Sequence, residues 1–360
     1  MEQQERIAYL DVLRVISIFA VIILHVAGLN FKTITNPYNW EITNIWFGLF
    51  RWGVPVFVMI SGVLFLNPAR EIPLRKLYTK YIFHLACVLV SWSVIYAFVS
   101  LITEPGQNAI TVLRSIIAGP FHLWFLYMIL GLYILVPLLR PICKDPKLMR
   151  YFLILCFVFS CLFPTLTQVL RGVKLAMPHS VIIPYLIDGI NSTLYSKIHF
   201  HFTLEYVTYF VLGDYVSQVD LTPKQRNIIY ILGIMGLLFP ICFVSSITHK
   251  TGIPFDFYTS SEMNIFVLFA TLAVFVFIKY NAVRLSDKLK KIFTYLAKYV
   301  LGIYLVHVLV LTCLIKCFNL LSVTLSPLFA IALIALLIFT LSLIIANIIK
   351  KIPILNKYII

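Results

Sequence analysis

Arg6-Ile7-Ala8-Tyr9-Leu10-Asp11-Val12-Leu13-Arg14-Val15-Ile16-Ser17-Ile18-Phe19-Ala20-Val21-Ile22-Ile23-Leu24-His25 is the stretch whose reading decides the fold. It is apolar over about the 20 residues that a bilayer core requires of a helix, yet it carries Asp11, Arg14 and His25. Ionisable groups inside a span are costly, and each is a functional-site candidate by default. Arg14 and His25 lie eleven positions apart. At about 100° per residue that is three turns plus roughly 20°, so both project from one face, separated by about 16 Å along the axis. One helix thus offers a permanent cation at one depth and a titratable imidazole at another. Asp11 precedes Arg14 by three residues, the spacing of a helical ion pair, and is placed to orient it.

Composition places the whole chain in the same environment. Of 360 residues, 61% are hydrophobic and 12% charged, with mean hydropathy +0.97. A soluble domain carries about 25% charged residues. The expected fold class is therefore all-α, a polytopic membrane protein of a single domain spanning 1–360. No small-residue cleavage site follows the first apolar run, so that helix is expected to remain as an anchor. The net charge of +15 belongs to cytoplasmic loops rather than to nucleic acid. Seven cysteines show no paired framework and no zinc spacing, and no metal is expected.

Ten spans are predicted, near 8–30, 44–66, 81–102, 121–139, 151–170, 200–217, 227–248, 263–279, 296–316 and 325–349. With the N-terminus inside, the cytoplasmic segments hold 20 Lys and Arg and the outer ones 7, with Arg14 and Arg51 within spans. That bias predicts both termini in the cytoplasm. Helix one then runs outward, with Arg14 about two turns in and His25 past the middle.

Other candidates fall into two groups on this topology. Arg75, Lys76 and Lys80 enter the third span from the inside, and His84 follows Lys80 by four residues. They read either as ordinary charge at a cytoplasmic helix end or as a docking site for the phosphates of a cytoplasmic donor. In the outer half lie Arg51, flanked by Gly53 and Pro55; His122 and Trp124, which open the fourth span; and Glu205, which with His199 and His201 opens the sixth. A snorkelling arginine and an aromatic belt are the plain alternatives for Arg51 and Trp124. Two possible ligands at His201 and Glu205 make a weak metal pattern; Glu205 is preferred as a partner of Arg51 or of a polar substrate. His307 lies near mid-depth of the ninth span.

Taken together, these residues resemble the acyltransferase 3 family of bacterial integral-membrane acyltransferases. The specific match is Tyr9-Leu10-Asp11-Val12-Leu13-Arg14, ten residues, then His25. Supporting it are Gly53-Val54-Pro55-Val56-Phe57 with Ser61-Gly62, His122-Leu123-Trp124-Phe125-Leu126, Tyr209-Phe210-Val211-Leu212-Gly213 and Leu301-Gly302-Ile303-Tyr304-Leu305-Val306-His307. The resemblance covers nearly the whole chain and is to single-domain members without an appended extracytoplasmic domain. It implies a protein of the bacterial cytoplasmic membrane that transfers an acyl group, commonly acetyl from acetyl-CoA, to a hydroxyl of a surface or secreted glycan or its lipid-linked precursor. It implies His25 and Arg14 as the central pair. Basic residues near the start of the third span matter in that family, which often has arginine where this chain has His84. Acyl-CoA is then a co-substrate, and no permanently bound cofactor is expected; the partners are the saccharide acceptor and membrane lipids.

Chemically, donor phosphates would lie against the inner cations while the pantetheine arm runs beside helix one. At His25, neutral imidazole could serve as general base or take the acyl group itself, and Arg51 could stabilise the oxyanion. The rival class is a transporter or flippase for a glycan or lipid-linked precursor, which composition and buried charge suit equally well.

Overall fold

The structure is a computed structural model that describes residues 8–29, 31, 34, 36–70, 72–103, 108–180, 182–190, 205–255, 257, 263–318, 326–353 and 355. Among these residues there are helices and connections and no strands. In chain order they are α1 (Ala8–Gly28), α2 (Pro37–Leu49), α3 (Gly53–Phe65), α4 (Leu74–Thr103), α5 (Ala109–Ala118), α6 (Trp124–Lys144), α7 (Pro146–Ala176), α8 (Ile182–Ile190), α9 (Val207–Gln218), α10 (Pro223–Thr251), α11 (Ile265–Asn281), α12 (Asp287–Ala297), α13 (Val300–Phe318) and α14 (Pro327–Lys351).

Among the described residues, eight spans meet the length and hydropathy a bilayer requires, and a ninth forms if α12 and α13, bent by 64° to one another, are taken together. The expected span at 200–217 corresponds to α9, whose twelve helical residues follow 191–204, outside the described residues. The expected second span is two helices. Asn36 caps α2 by accepting from the Asn39 N–H at 3.0 Å, with Pro37 in the first turn. The helix stops at Leu49; the chain turns through Phe50-Arg51-Trp52, held by Gly53 N–H to Phe50 carbonyl at 3.1 Å and Trp52 Nε1–H to Leu49 carbonyl at 2.8 Å, and α3 begins. Pro55, whose missing N–H does no harm in a first turn, fits that restart.

Helix α1 is the rod around which the others assemble. In its apolar window 78% of residues are buried, against 22–56% in the other spans. It touches α2, α3, α11, α12, α13 and α14. Close approach to α3 depends on Gly53: a Cβ there would stand 3.1 Å from the Ala20 methyl and 3.2 Å from the Ser17 carbonyl. α3 crosses α9 still more tightly. A Cβ at Gly62 would strike the Phe210 backbone, and one at Gly213 the Met59 backbone. Such small-residue contacts hold helices together where hydrophobic exclusion offers nothing.

Candidate functional site

The site is built outward from α1. Arg14 Nη1 donates to Asp11 Oδ1 at 3.0 Å, within one helical turn. Asp11 is fully buried, and its other oxygen accepts from Thr294 Oγ1 of α12 at 3.1 Å. A buried carboxylate is tolerable only with such partners. The ion pair is therefore a brace: α12 fixes Asp11, and Asp11 fixes the guanidinium.

Arg14 opens on a cavity of about 340 Å³. Its polar wall is formed by Arg14, Tyr81, His84, Ser61 and Tyr133; further along it becomes apolar, through Val21, Val54, Phe57, Phe125 and Tyr304. A second cavity, of about 320 Å³, is lined by His25, Arg51, Phe121 and Trp124, and again by Val21 and Val54. The two hollows therefore meet along a shared wall. Arg14, Val21 and His25 form one stripe of α1, as their spacing requires. On the far side Val54, Phe57, Ser61 and Leu64 form the matching stripe of α3.

Arg51 sits in the break between α2 and α3. Its guanidinium carbon lies 3.8 Å from the centroid of the Phe47 ring, a cation–π contact that holds the side chain along the cavity wall. Trp124 is 40% exposed and packs at a tilt of 46° against Tyr206, ring centroids 5.5 Å apart. Glu205, the residue before Tyr206, is exposed beside that pair. His199 and His201 lie outside the described residues.

Behind His25 stand two more imidazoles. His307 of α13 is fully buried, its ring centroid 5.1 Å from that of His25. His122, in the single 3₁₀ turn Phe121–Leu123 before α6, is 1% exposed and lies edge-on to His307 at 5.5 Å. Tyr304 O–H donates to the His122 carbonyl, and Phe121 packs edge-on against His25. His122 and His307 are thus neighbours of the His25 ring rather than lining residues of its cavity. Among the described residues no group of three or more His, Cys, Asp or Glu is arranged to hold a metal.

Of the four residues assigned to a donor, His84 lines the Arg14 cavity, whereas Arg75, Lys76 and Lys80 are exposed on the first turns of α4 and do not line it. The cause is local. Residues Leu77–Ile82 form a π turn, which inserts extra chain into the helix and breaks the four-residue register between Lys80 and His84. Tyr81 and His84 turn inwards and Lys80 outwards.

A third cavity, about 330 Å³, is lined by Asn67, Arg70, Ile72, Arg140 and Lys144. Arg140 is committed to backbone: Nε donates to the Phe65 carbonyl at 3.0 Å, Nη1 to Ile72 at 3.1 Å and Nη2 to Arg70 at 3.0 Å. The Phe65 ring packs between Tyr81 and Tyr133, at 5.1 and 4.1 Å. Both tyrosines line the Arg14 cavity, so Phe65 touches the wall of that cavity with its ring and Arg140 of the cationic hollow with its carbonyl. Sequence reasoning did not single out Arg70, Arg140, Lys144 or Thr294. A loop of mixed charge gives no signal of which cations fold back onto the bundle.

The described helices thus leave an Arg14 cavity and a His25 cavity that share a wall, with a separate cationic hollow at Arg70 and Lys144. No curated protein and no solved structure matches the chain. A family model described as an acyltransferase domain matches residues 7–347, and the chain belongs to that family, acyltransferase 3, as a multi-pass membrane acyltransferase.

Proposed function

We propose that this protein is an O-acyltransferase of the bacterial cytoplasmic membrane that moves an acetyl group from acetyl-CoA to a hydroxyl of a surface glycan or its lipid-linked precursor. The observation that carries the reading is the shared wall at Val21 and Val54, which joins the Arg14 cavity to the His25 cavity. Charge bias assigns the Arg14 end to the cytoplasm. Donor phosphates belong with Arg14, Arg70 and Lys144, and the pantetheine arm with the apolar wall between them and His25. The axial gap of about 16 Å is of the order such an arm must cover. Acceptor hydroxyls enter beside Trp124, Glu205 and Arg51, where an aromatic face suits a sugar ring.

The step balances without a metal or redox partner. His25 takes the proton of the acceptor hydroxyl as the oxygen attacks the thioester carbonyl. Arg51 faces the oxyanion of the tetrahedral intermediate. The C–S bond breaks, the imidazolium returns its proton to the departing thiolate, and the products are an ester and free CoA. If His25 instead carries the acetyl group, its ring N–H proton goes to the departing thiolate in the first half-reaction and the acceptor's hydroxyl proton restores the ring in the second; a burst of CoA before acceptor is added distinguishes that route.

The test is consumption of acetyl-CoA by purified protein with a glycan acceptor. His25→Ala is expected to abolish turnover, and Arg14→Ala to raise the donor KM by about tenfold, one lost charge-assisted contact. Undiminished turnover in His25→Ala overturns the proposal. Movement of labelled glycan across vesicles without any acyl donor would establish transport instead.

A further inference from the structure

The tautomer of His307 is fixed by its own helix. Its Nδ1 lies 2.5 Å from the Tyr304 carbonyl oxygen. A carbonyl only accepts, so Nδ1 bears the proton and Nε2 of the neutral ring is a lone pair. That Nε2 is buried and without a hydrogen-bond partner among the described residues. An acceptor left bare in an apolar interior costs about 1–3 kcal/mol, so its retention calls for a donor. Ring centroids 5.1 Å apart, with planes tilted by 39°, are close enough for a ring rotation to bring a nitrogen of His25 within hydrogen-bond reach of one of His307.

We infer that His307 is a positioning residue for His25: its Nε2 accepts the N–H of the His25 ring and so leaves the lone pair of the other His25 nitrogen directed at the substrate cavity. The second role of the pair follows from the first. When His25 takes the acceptor's proton it becomes an imidazolium, and its N–H to Nε2 becomes charge-assisted and stronger. A carboxylate commonly does this for a catalytic histidine. Here the nearest carboxylate of α1, Asp11, is occupied at the other end with Arg14 and Thr294, and a neutral imidazole provides the acceptor. His122 is the competitor. Both its ring nitrogens are unpartnered and buried, and it lies edge-on to His307 at 5.5 Å with planes 83° apart.

The inference rests on the acyltransferase reading, and one assay separates the two. Wild type, His307→Phe, His307→Gln and His122→Phe are compared for acetyl-CoA consumption with acceptor, at equal amounts of folded protein judged by monodisperse elution in detergent. Phenylalanine fills the space but accepts nothing; glutamine carries a carbonyl oxygen close to where Nε2 stands. We expect His307→Phe to lower kcat by about 30-fold with both KM values within about twofold, His307→Gln to recover most of the rate, and His122→Phe to lie near wild type. A rate for His307→Phe equal to wild type, or His307→Gln as slow as His307→Phe, overturns the inference. So does an equal loss in His122→Phe, which makes His122 the true donor to Nε2. Should His307→Phe not fold, His307→Gln against His307→Leu makes the same comparison. Absence of turnover in wild type would instead count against the acyltransferase reading itself.

Discussion

Asp11 holds Arg14 from one side at 3.0 Å and is itself held by Thr294 from another helix at 3.1 Å. The guanidinium is thereby fixed by a chain of contacts that begins on α12, an amphipathic helix with no buried residue. Asp11→Asn keeps an acceptor for Thr294 but removes the charge facing Arg14. The expected outcome is a donor KM raised by about tenfold, equivalent to ~1.4 kcal/mol, with a smaller effect on kcat. Thr294→Val should reproduce a weaker form of the same defect. Titration of acetyl-CoA against initial rate checks both. Unchanged donor KM in Asp11→Asn would mean that Arg14 keeps its place without the brace.

The junction between the two cavities can be closed from one side. Val54 lines both hollows and is half-buried, so a larger side chain there projects into open space before it meets packed atoms. Val54→Trp is expected to leave donor binding at the Arg14 end within about threefold of wild type while lowering transfer by about 100-fold, because the thioester no longer reaches His25. Val54→Ala should be near neutral in rate. Equilibrium binding of acetyl-CoA alongside turnover reads the two effects apart. Equal loss of binding and turnover would mean that Val54→Trp distorts the bundle rather than blocks the passage.

Much of the fold was legible because membrane spans announce themselves by length and apolarity, and the stripe Arg14, Val21, His25 follows from helical periodicity alone. What periodicity could not supply was backbone irregularity. The break at Phe50-Arg51-Trp52, the π turn at Leu77–Ile82 and the 64° bend before Val300 each re-aim side chains without changing composition. Lys80 is the clearest case: four-residue spacing joins it to His84, and a π turn separates them. Arg51 shows the opposite effect. Placed in a broken helix, it is able to lie along the His25 cavity with Phe47 beneath it. His122 reads as an outer-half residue and His307 as a mid-depth one, but their packing behind His25 is tertiary, set by the 3₁₀ turn and by the path of α13.

The crossing of α3 and α9 makes a stability prediction that owes nothing to chemistry. Gly213→Val would force Cβ and two methyls against the Met59 backbone, and Gly62→Val would do the same against Phe210. Overpacking of this kind costs about 1–3 kcal/mol where neighbours can shift, and backbone shifts least. Both variants should unfold at clearly lower temperature in detergent, or fail to accumulate. Gly131→Ala is the control: a Cβ there meets nothing within 4 Å, and helix propensity alone favours alanine by about 1 kcal/mol. Thermal unfolding of the three is the measurement, and a destabilised Gly131→Ala would point to a partner at that surface.

Arg140 separates a structural cation from a ligand-binding one. Three of its N–H groups close the carbonyls of Phe65, Arg70 and Ile72, the first being the C-terminal residue of α3, where orphan carbonyls need donors. Lysine retains the charge but cannot present a planar fork to three acceptors. Arg140→Lys should therefore cost about 2 kcal/mol of stability, the scale of charge-assisted bonds that are weakened rather than removed. It should also loosen residues 66–73, including Arg70, and raise the donor KM. Lys144 lines the same hollow without that scaffold of carbonyl bonds. Lys144→Ala should raise the donor KM by a few fold and leave the unfolding temperature unchanged. Thermal unfolding and donor titration on both variants make the distinction: if Lys144→Ala leaves the donor KM where it was, the hollow is structural, and the phosphates must be sought nearer to Arg14 and His84.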